Sequence, residues 1–363
     1  MMKNNLFLAH TPYHLLLSAT LVKQENLKNN VLVIFKDFNI NMDEYKWLND
    51  YFHEIIILRG SYKLNYTRDK LKTKIGKMVY VRGCALGTVF AIKKLIKSFK
   101  DISWSQIFCF NDSFEKIQIL IHNLKGENTK VAYIEDGSAA YWVKKDIFLH
   151  MKINASKFLS TSYIMLKSFN FHDKYEIIDV FGGGSYIDYS YFLYPDFICK
   201  ELKKKEAKEI KSEDLKTVIL RKNFEKFNIN NSIVILADLY SPKVKEYFEE
   251  AFKYLKGYNI YLKYHPRETN FYLNDLVKGR EFILPSEEAL ESILVNSKNN
   301  IIIGTGGSTV FFTLPKISEN KYISLNKIFN ISFGEEYEKT LEKIGINIPL
   351  NYEEFNIVLE RSK

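Results

Sequence analysis

The chain has 363 residues, of which 46% are hydrophobic, 15% aromatic and 26% charged, and its net charge is +9. That composition excludes a disordered chain and supplies a real core, and at roughly 100–200 residues per domain the length suggests two domains. The charge is uneven: residues 59–100 hold twelve Lys/Arg and a single acid, Asp69, which alone accounts for the surplus.

Residues 5–9 read as a first buried strand. His10-Thr11-Pro12-Tyr13-His14 follows, then an apolar helix from about Leu15, with Pro12 well placed near its start. Further strands are predicted over 31–35 and 53–58, and a helix over about 83–99 within the basic segment. A strand over 106–110 ends in Asn111-Asp112, and one over 130–134 ends in Glu135-Asp136-Gly137-Ser138. Residues 176–181 read as a strand running into Gly182-Gly183-Gly184, and the lysine- and glutamate-rich stretch 200–216 as an exposed connecting helix. A second series begins with a strand over 232–237, the loop from Asp238 through Ser241, and a helix over 243–255. A strand over 259–263 leads into Tyr264-His265-Pro266-Arg267, and one over 281–284 precedes Pro285-Ser286-Glu287-Glu288. A strand over 300–303 enters Gly304-Thr305-Gly306-Gly307-Ser308-Thr309, a strand over 321–324 closes the sheet, and the last helix covers 352–361.

Strands alternating with helical patterns argue for parallel α/β sheets. The expected fold class is α/β, with two Rossmann-like doubly wound domains facing across a cleft. Their bounds are an N-terminal domain over 1–190, a helical linker over 191–231 and a C-terminal domain over 232–363.

Cys84, Cys109 and Cys199 are far apart and form no C-x-x-C, which argues against a disulfide framework or zinc ribbon and fits a reducing cytoplasm. No apolar run is expected to approach the roughly 20 residues that span a bilayer. The apolar stretch 6–22 is interrupted by His10 and His14 and lacks a small-residue cleavage site, so it reads as strand and helix rather than an export signal. The basic strip is either a solvated face or a contact for acidic lipid, acidic glycan or nucleic acid.

In open parallel sheets, ligands bind beyond the strand C-termini. Glu135-Asp136-Gly137 stands at such a position in one half, and His265 with the 304–309 turn in the other. A hydroxyl-rich glycine turn at a helix start suits a phosphate, and an imidazole beside it can stabilise charge on a departing phosphate. A carboxylate can take the proton of an attacking hydroxyl, typically worth ~10²–10⁴-fold. Each piece alone has a plainer reading: a turn, a surface histidine, a tight glycine bend. G-x-x-x-x-G-K-[ST] and H-E-x-x-H are absent, and the 304–309 turn lacks the last glycine of G-x-G-x-x-G. Asp-x-Asp is also absent, so chemistry without metal or cofactor is expected.

Together, Tyr133-Ile134-Glu135-Asp136-Gly137-Ser138, Lys263-Tyr264-His265-Pro266-Arg267 and Ser308-Thr309 resemble the acidic, His-Pro and paired-hydroxyl motifs of bacterial sialyltransferases. The opening residues 5–13 and the stretch 235–243 are similar to family-52 glycosyltransferases, which make sialylated lipooligosaccharides and capsules. The polysialyltransferases of family 38 share the three motifs and are the nearest competitor. The resemblance implies a GT-B fold, CMP-sialic acid as donor, and inversion at the anomeric carbon without metal. It implies that Glu135 or its neighbour Asp136 activates the acceptor; Glu in the leading position leaves open which one. His265 would contact the CMP phosphate and act as general acid, and Ser308 and Thr309 would bind the phosphate. Pro266, Gly306, Gly307 and Ser241 fall on the donor side, with Glu287 or Glu288 holding the nucleotide. Thr11, Pro12, His14 and Asn111 fall on the acceptor side. The implied partners are a nucleotide-sugar donor and a galactose-terminated glycan, with no nucleic acid. The expected location is cytoplasmic, at the inner face of the plasma membrane through the 59–100 strip. Three alternatives stay open: a polysialyltransferase, a GT-B or polyglycerolphosphate-type transferase with another donor, and a non-enzymatic anion-binding protein.

Overall fold

The computed structural model describes residues 3–37, 42–60, 67–68, 70–141, 161–221, 229–265, 268, 270–277, 282–285 and 288–362. The chain divides into two compact units, Met1–Ile210 and Lys211–Lys363.

The first unit contains β1 (Asn4–Ala9), α1 (Pro12–Gln24), β2 (Asn30–Lys36), β3 (Glu54–Arg59), α2 (Lys74–Phe99) and β4 (Trp104–Cys109). It continues with α3 (Glu115–Leu124), β5 (Lys130–Ile134), α4 (Thr161–Ser168), β6 (Tyr189–Phe192) and β7 (Glu206–Glu209). Its seven strands lie in the order β3-β2-β1-β4-β5-β6-β7, and every pair is parallel. The central strands are apolar on both faces because helices cover both sides of a parallel sheet. Leu6, Phe7, Leu8 and Val33 have no exposed surface, and Phe7 stacks on Phe108 at 4.3 Å between centroids. Helix α1 is buried from His14 to Val22, and the Thr11 hydroxyl accepts the His14 N–H at its start (3.2 Å).

The second unit contains α5 (Ser212–Arg221), β8 (Ile233–Ala237), α6 (Pro242–Phe252), β9 (Ile260–Tyr264), β10 (Ile283–Leu284) and α7 (Leu290–Leu294). Then come β11 (Lys298–Gly304), α8 (Val310–Ile317), β12 (Glu319–Ser324), α9 (Glu335–Lys343), β13 (Ile346–Asn347) and α10 (Tyr352–Arg361). The strand order is β10-β9-β8-β11-β12-β13, again all parallel. Ile235, Leu262, Ile303, Phe248 and Phe355 meet in its core, each full burial worth roughly 1.5–3 kcal/mol. In their own numbering the first sheet runs 3-2-1-4-5-6-7 and the second 3-2-1-4-5-6, so each has a topological switch point, between β1 and β4 and between β8 and β11.

Five expectations are corrected. Residues 176–181 form no strand; the sixth strand is Tyr189–Phe192. The stretch 200–216 is not one helix, and 191–231 is not a helical linker. A 3₁₀ turn (Leu202–Lys204) and β7 complete the first sheet, and α5 begins the second unit with Leu215, Val218 and Ile219 buried. Lysine and glutamate suit an exposed edge strand as well as a helix, which is why composition misread this stretch. The helix predicted from 83 begins at Lys74, where the Thr73 hydroxyl accepts the Gly76 N–H. By length and composition that helix could cross a membrane, with mean hydropathy 1.4 over an 18-residue window, contrary to the expectation that no run approached this.

Candidate active site

In the first unit, the residues after β1, β4 and β5 converge beside the β1/β4 switch. The His10 backbone N–H donates to His14 Nδ1 (3.1 Å), which leaves the His14 proton on Nε2. That nitrogen donates to Asp136 Oδ1 at 2.8 Å, and Asn111 Nδ2 donates to Asp136 Oδ2 at 3.1 Å. Asn111 is itself oriented by the Ser113 N–H and hydroxyl, both donating to its Oδ1 (3.2 and 2.7 Å). The His14 ring stacks on Phe110 at 4.0 Å. Burial would raise the Asp136 carboxyl, but the interactions with His14 and Asn111 outweigh it and hold the group below the usual carboxylate range. Its side chain remains 24% exposed.

Glu135 is placed differently. It has no exposed surface. Its Oε1 accepts the Tyr13 hydroxyl (2.9 Å), and its Oε2 accepts the Tyr141 hydroxyl (2.5 Å) and the Leu193 N–H (2.8 Å). This carboxylate ties the start of α1 and the end of β6 to the loop after β5.

Two further clusters at this edge were missed by sequence reasoning. His10 Nδ1 and Lys116 Nζ both contact Asp37 Oδ2, at 2.7 and 3.1 Å. His10 stacks on Phe35, over which the Lys116 ammonium also sits. Burial, then the Lys116 charge, pushes His10 down to about 4, and its Nε2 is buried without a partner. Asp112, fully buried, accepts the Gly182 and Gly184 N–H groups (2.9 Å each). Burial pushes it up to about 6, against the pull of those N–H groups. The glycine triplet therefore wraps a carboxylate rather than ending a strand: Gly182 has φ +88°, and a Cβ there would stand 2.7 Å from the Tyr133 ring. A polar residue closing an apolar strand was the available signal for Asp37 and Asp112.

In the second unit, His265 follows β9 directly, half-buried, and its N–H donates to Ala237 O at 3.1 Å. Asp238 ends the neighbouring strand β8; its Oδ2 accepts the Thr305 hydroxyl (2.8 Å), and burial raises its carboxyl. On the other side of β8, β11 opens into the 304–309 turn and α8. His265 and the hydroxyls of the turn thus follow two strands on the same edge of the sheet, with one strand between.

Packing dictates the glycines of this turn. A Cβ on Gly304 would lie 2.8 Å from Leu236, one on Gly306 2.6 Å from Leu341, and one on Gly307 2.7 Å from Phe333. Two backbone N–H groups of the turn are already engaged: Gly306 N–H donates to Asn326 Oδ1 (2.8 Å) and Ser308 N–H to Thr305 O (3.4 Å). What the turn offers instead is hydroxyls. Ser308 and Thr309 are half-buried, and neither side chain is hydrogen-bonded among the described residues. The buried Asn326 amide N–H₂ beneath Gly306 also lacks an acceptor.

Among the remaining sequence candidates, Ser241 caps α6 by accepting the Val244 N–H (3.1 Å), and Pro12 is the first residue of α1. Glu288 stands half-buried after β10, and Pro266, Arg267 and Glu287 lie outside the described residues. Among the described residues, no group of three or more His, Cys, Asp or Glu side chains could hold a metal ion.

Residues 5–327 match the family model described as alpha-2,8-polysialyltransferase. No curated protein matches the sequence. In fold the chain is similar to the alpha/beta-galactoside alpha-2,3-sialyltransferase of the luminous marine bacterium Photobacterium phosphoreum. There the TM-score is 0.54 at 14% identity, covering 95% of this chain and 98% of that one. It is also similar to the glycotransferase of kitacinnamycin (TM-score 0.51, 8% identity, 99% and 91% covered). The UDP-GlcNAc 2-epimerase from Neisseria meningitidis is a third neighbour (TM-score 0.51, 10% identity, 99% and 90% covered). An epimerase among these neighbours shows that the architecture does not choose the reaction. The fold is the GT-B architecture of two parallel-sheet units, and the match over most of the chain falls on the polysialyltransferase side of the sequence resemblance. This chain therefore belongs to the alpha-2,8-polysialyltransferase family and is a glycosyltransferase, of a kind that joins a nucleotide-sugar donor to a glycan acceptor.

Proposed function

We propose that the enzyme transfers sialic acid from CMP-sialic acid to the end of a surface glycan, with inversion and without a metal. The observation that carries this reading is the pairing of His265 with the Ser308 and Thr309 hydroxyls along one sheet edge, beside a switch point. As the bond from the ketosidic carbon to the CMP phosphate oxygen breaks, charge grows on that phosphate. The two hydroxyls donate to it, and His265 supplies a proton or positive charge. The acceptor oxygen forms its bond to the same carbon from the opposite face and gives its proton to the acidic pair of the first unit. Asp136 is the member with solvent access, so the geometry favours it as the base, held in register by His14 and Asn111 as positioning residues. Glu135, with tyrosine and backbone donors on both oxygens, anchors the loop.

Two acceptors fit this chemistry. A galactose-ended lipooligosaccharide or capsule precursor is the first; the family match favours the second, a sialic-acid end extended repeatedly. Three free, buried cysteines support a cytoplasmic setting. The test is CMP release from CMP-sialic acid with lactose-ended and sialyllactose-ended acceptors. Turnover with either is expected; none with both would overturn the proposal. In thermal-shift measurements CMP should stabilise the protein more than UDP or GDP, and the reverse order would replace the donor. Salt-sensitive DNA binding without a nucleotide response would favour the anion-binding alternative.

A further inference from the structure

Helix α2 has two apolar faces, and the fold uses only one. Cys84, Ala85, Val89, Ile92, Leu95 and Phe99 recur at three- and four-residue spacing and are buried against the first unit. On the other side Ile75 (71% exposed), Val79 (61%), Leu86 (56%) and Phe90 (72%) lie in one stripe, with Met78 (48%) beside it. Large apolar side chains are seldom gathered in solvent along one helix without a partner. Continuing that stripe, Arg82, Lys93 and Lys97 are exposed as well, and the helix contains six Lys/Arg and no acid.

We infer that the outer face of α2 docks on an anionic bilayer, lying in the plane of the interface. The charge selects the occupant. A row of apolar residues flanked by cations only, with no carboxylate to repel anionic headgroups, fits such a surface through both hydrophobic and electrostatic attraction. The helix lies on the membrane rather than crossing it, since crossing would strip its inner face from the sheet it packs against. The inference stands on the helix alone and does not depend on the identity of the donor or acceptor.

The test is co-sedimentation of the full-length protein with sucrose-loaded vesicles. One set contains phosphatidylglycerol in phosphatidylcholine, the other phosphatidylcholine alone. Binding is expected to the first set, weakening as salt rises. A Leu86→Gln/Phe90→Gln variant should bind at least ~10-fold more weakly at fixed salt, while Lys93→Gln/Lys97→Gln should lose most of the salt dependence. Because all four side chains are exposed, both variants should keep the wild-type circular dichroism and melting curve, which checks folding. Three results would overturn the inference: no pelleting with phosphatidylglycerol vesicles, pelleting that neither variant changes, or a wild-type dimer that the Leu86→Gln/Phe90→Gln variant dissociates without any lipid binding.

Discussion

The two adjacent acids should fail in opposite ways. In Asp136→Asn, the new carbonyl can still accept from His14 Nε2, but the new amide N–H₂ faces the Asn111 N–H₂, donor against donor. Turning Asn111 over would break the two bonds it accepts from Ser113. Because this carboxyl is partly exposed, water absorbs most of the mismatch and the melting temperature should barely move. Turnover, losing its proton acceptor, should fall by at least ~10². In Glu135→Gln the site is sealed. The new carbonyl keeps the Tyr141 hydroxyl and the Leu193 N–H, and the new amide turns to the Tyr13 hydroxyl, which must rotate to accept it; exchanging bonds to a buried charge for bonds to a neutral amide costs about 1–3 kcal/mol. At roughly 2–4 °C per kcal/mol for a unit of this size, the melting temperature should drop by about 2–12 °C. Turnover measured well below that melting point should fall less than about tenfold, as befits support rather than proton transfer. The assay pairs CMP release with thermal unfolding followed by circular dichroism. A Glu135→Gln protein of wild-type stability with turnover lost ~10²-fold or more, beside an active Asp136→Asn, would exchange the two roles.

His265→Ala should lower kcat by at least ~10² with a smaller change in thermal stability, and near-wild-type kcat would remove it from the mechanism. Ser308→Ala/Thr309→Val should raise the KM for the donor and weaken CMP stabilisation in a thermal-shift assay; an unchanged shift would place the phosphate elsewhere. Gly306→Ala should cost about 1–3 kcal/mol, because its methyl would meet Leu341 and the Asn326 amide, and an unchanged melting curve would refute that packing. His10 binds its proton less readily folded, at about 4, than unfolded, at 6.5, so its contribution is complete above 6.5 and is lost as pH falls towards 4. That difference is worth about 3 kcal/mol, so the stability gap between wild type and His10→Asn should shrink by this order from pH 7 to pH 4 in urea titrations; a constant gap would refute it.

Much of both sheets was legible because buried parallel strands are near-continuous apolar runs. The strand over 130–134 and the helix over 352–361 coincide with β5 and α10 at both ends. The misread stretches were those where polarity misled. β7 reads Glu-Ala-Lys-Glu, an edge with little to bury, and β6 sits among tyrosines after an irregular glycine segment. At the site, the motifs located Glu135, Asp136, His265, Ser308 and Thr309. They could not show that His10 and Lys116 meet at Asp37, since those contacts join residues 27 and 79 positions apart.

The same limit explains why the motif left the base unresolved. Glu135 and Asp136 are neighbours on one loop, equal in chemistry and in sequence context. What separates them is remote: Tyr13 reaches Glu135 across 122 positions and Leu193 across 58, while His14, one residue after Tyr13, turns the opposite way to Asp136. The first turn of α1 therefore fixes both acids at once, one through a phenol and one through an imidazole. A buried carboxylate is tolerated only when its lone pairs are filled, and those of Glu135 are filled from two distant elements. That rigidity keeps Asp136 within hydrogen-bond reach of His14 and Asn111, and proton transfer is sensitive to such placement. Loosening the anchor should therefore blur the base, so Tyr13→Phe, which removes one phenol and leaves its ring, should lower the melting temperature and raise KM for the acceptor together, and an unchanged melting curve would refute the anchor.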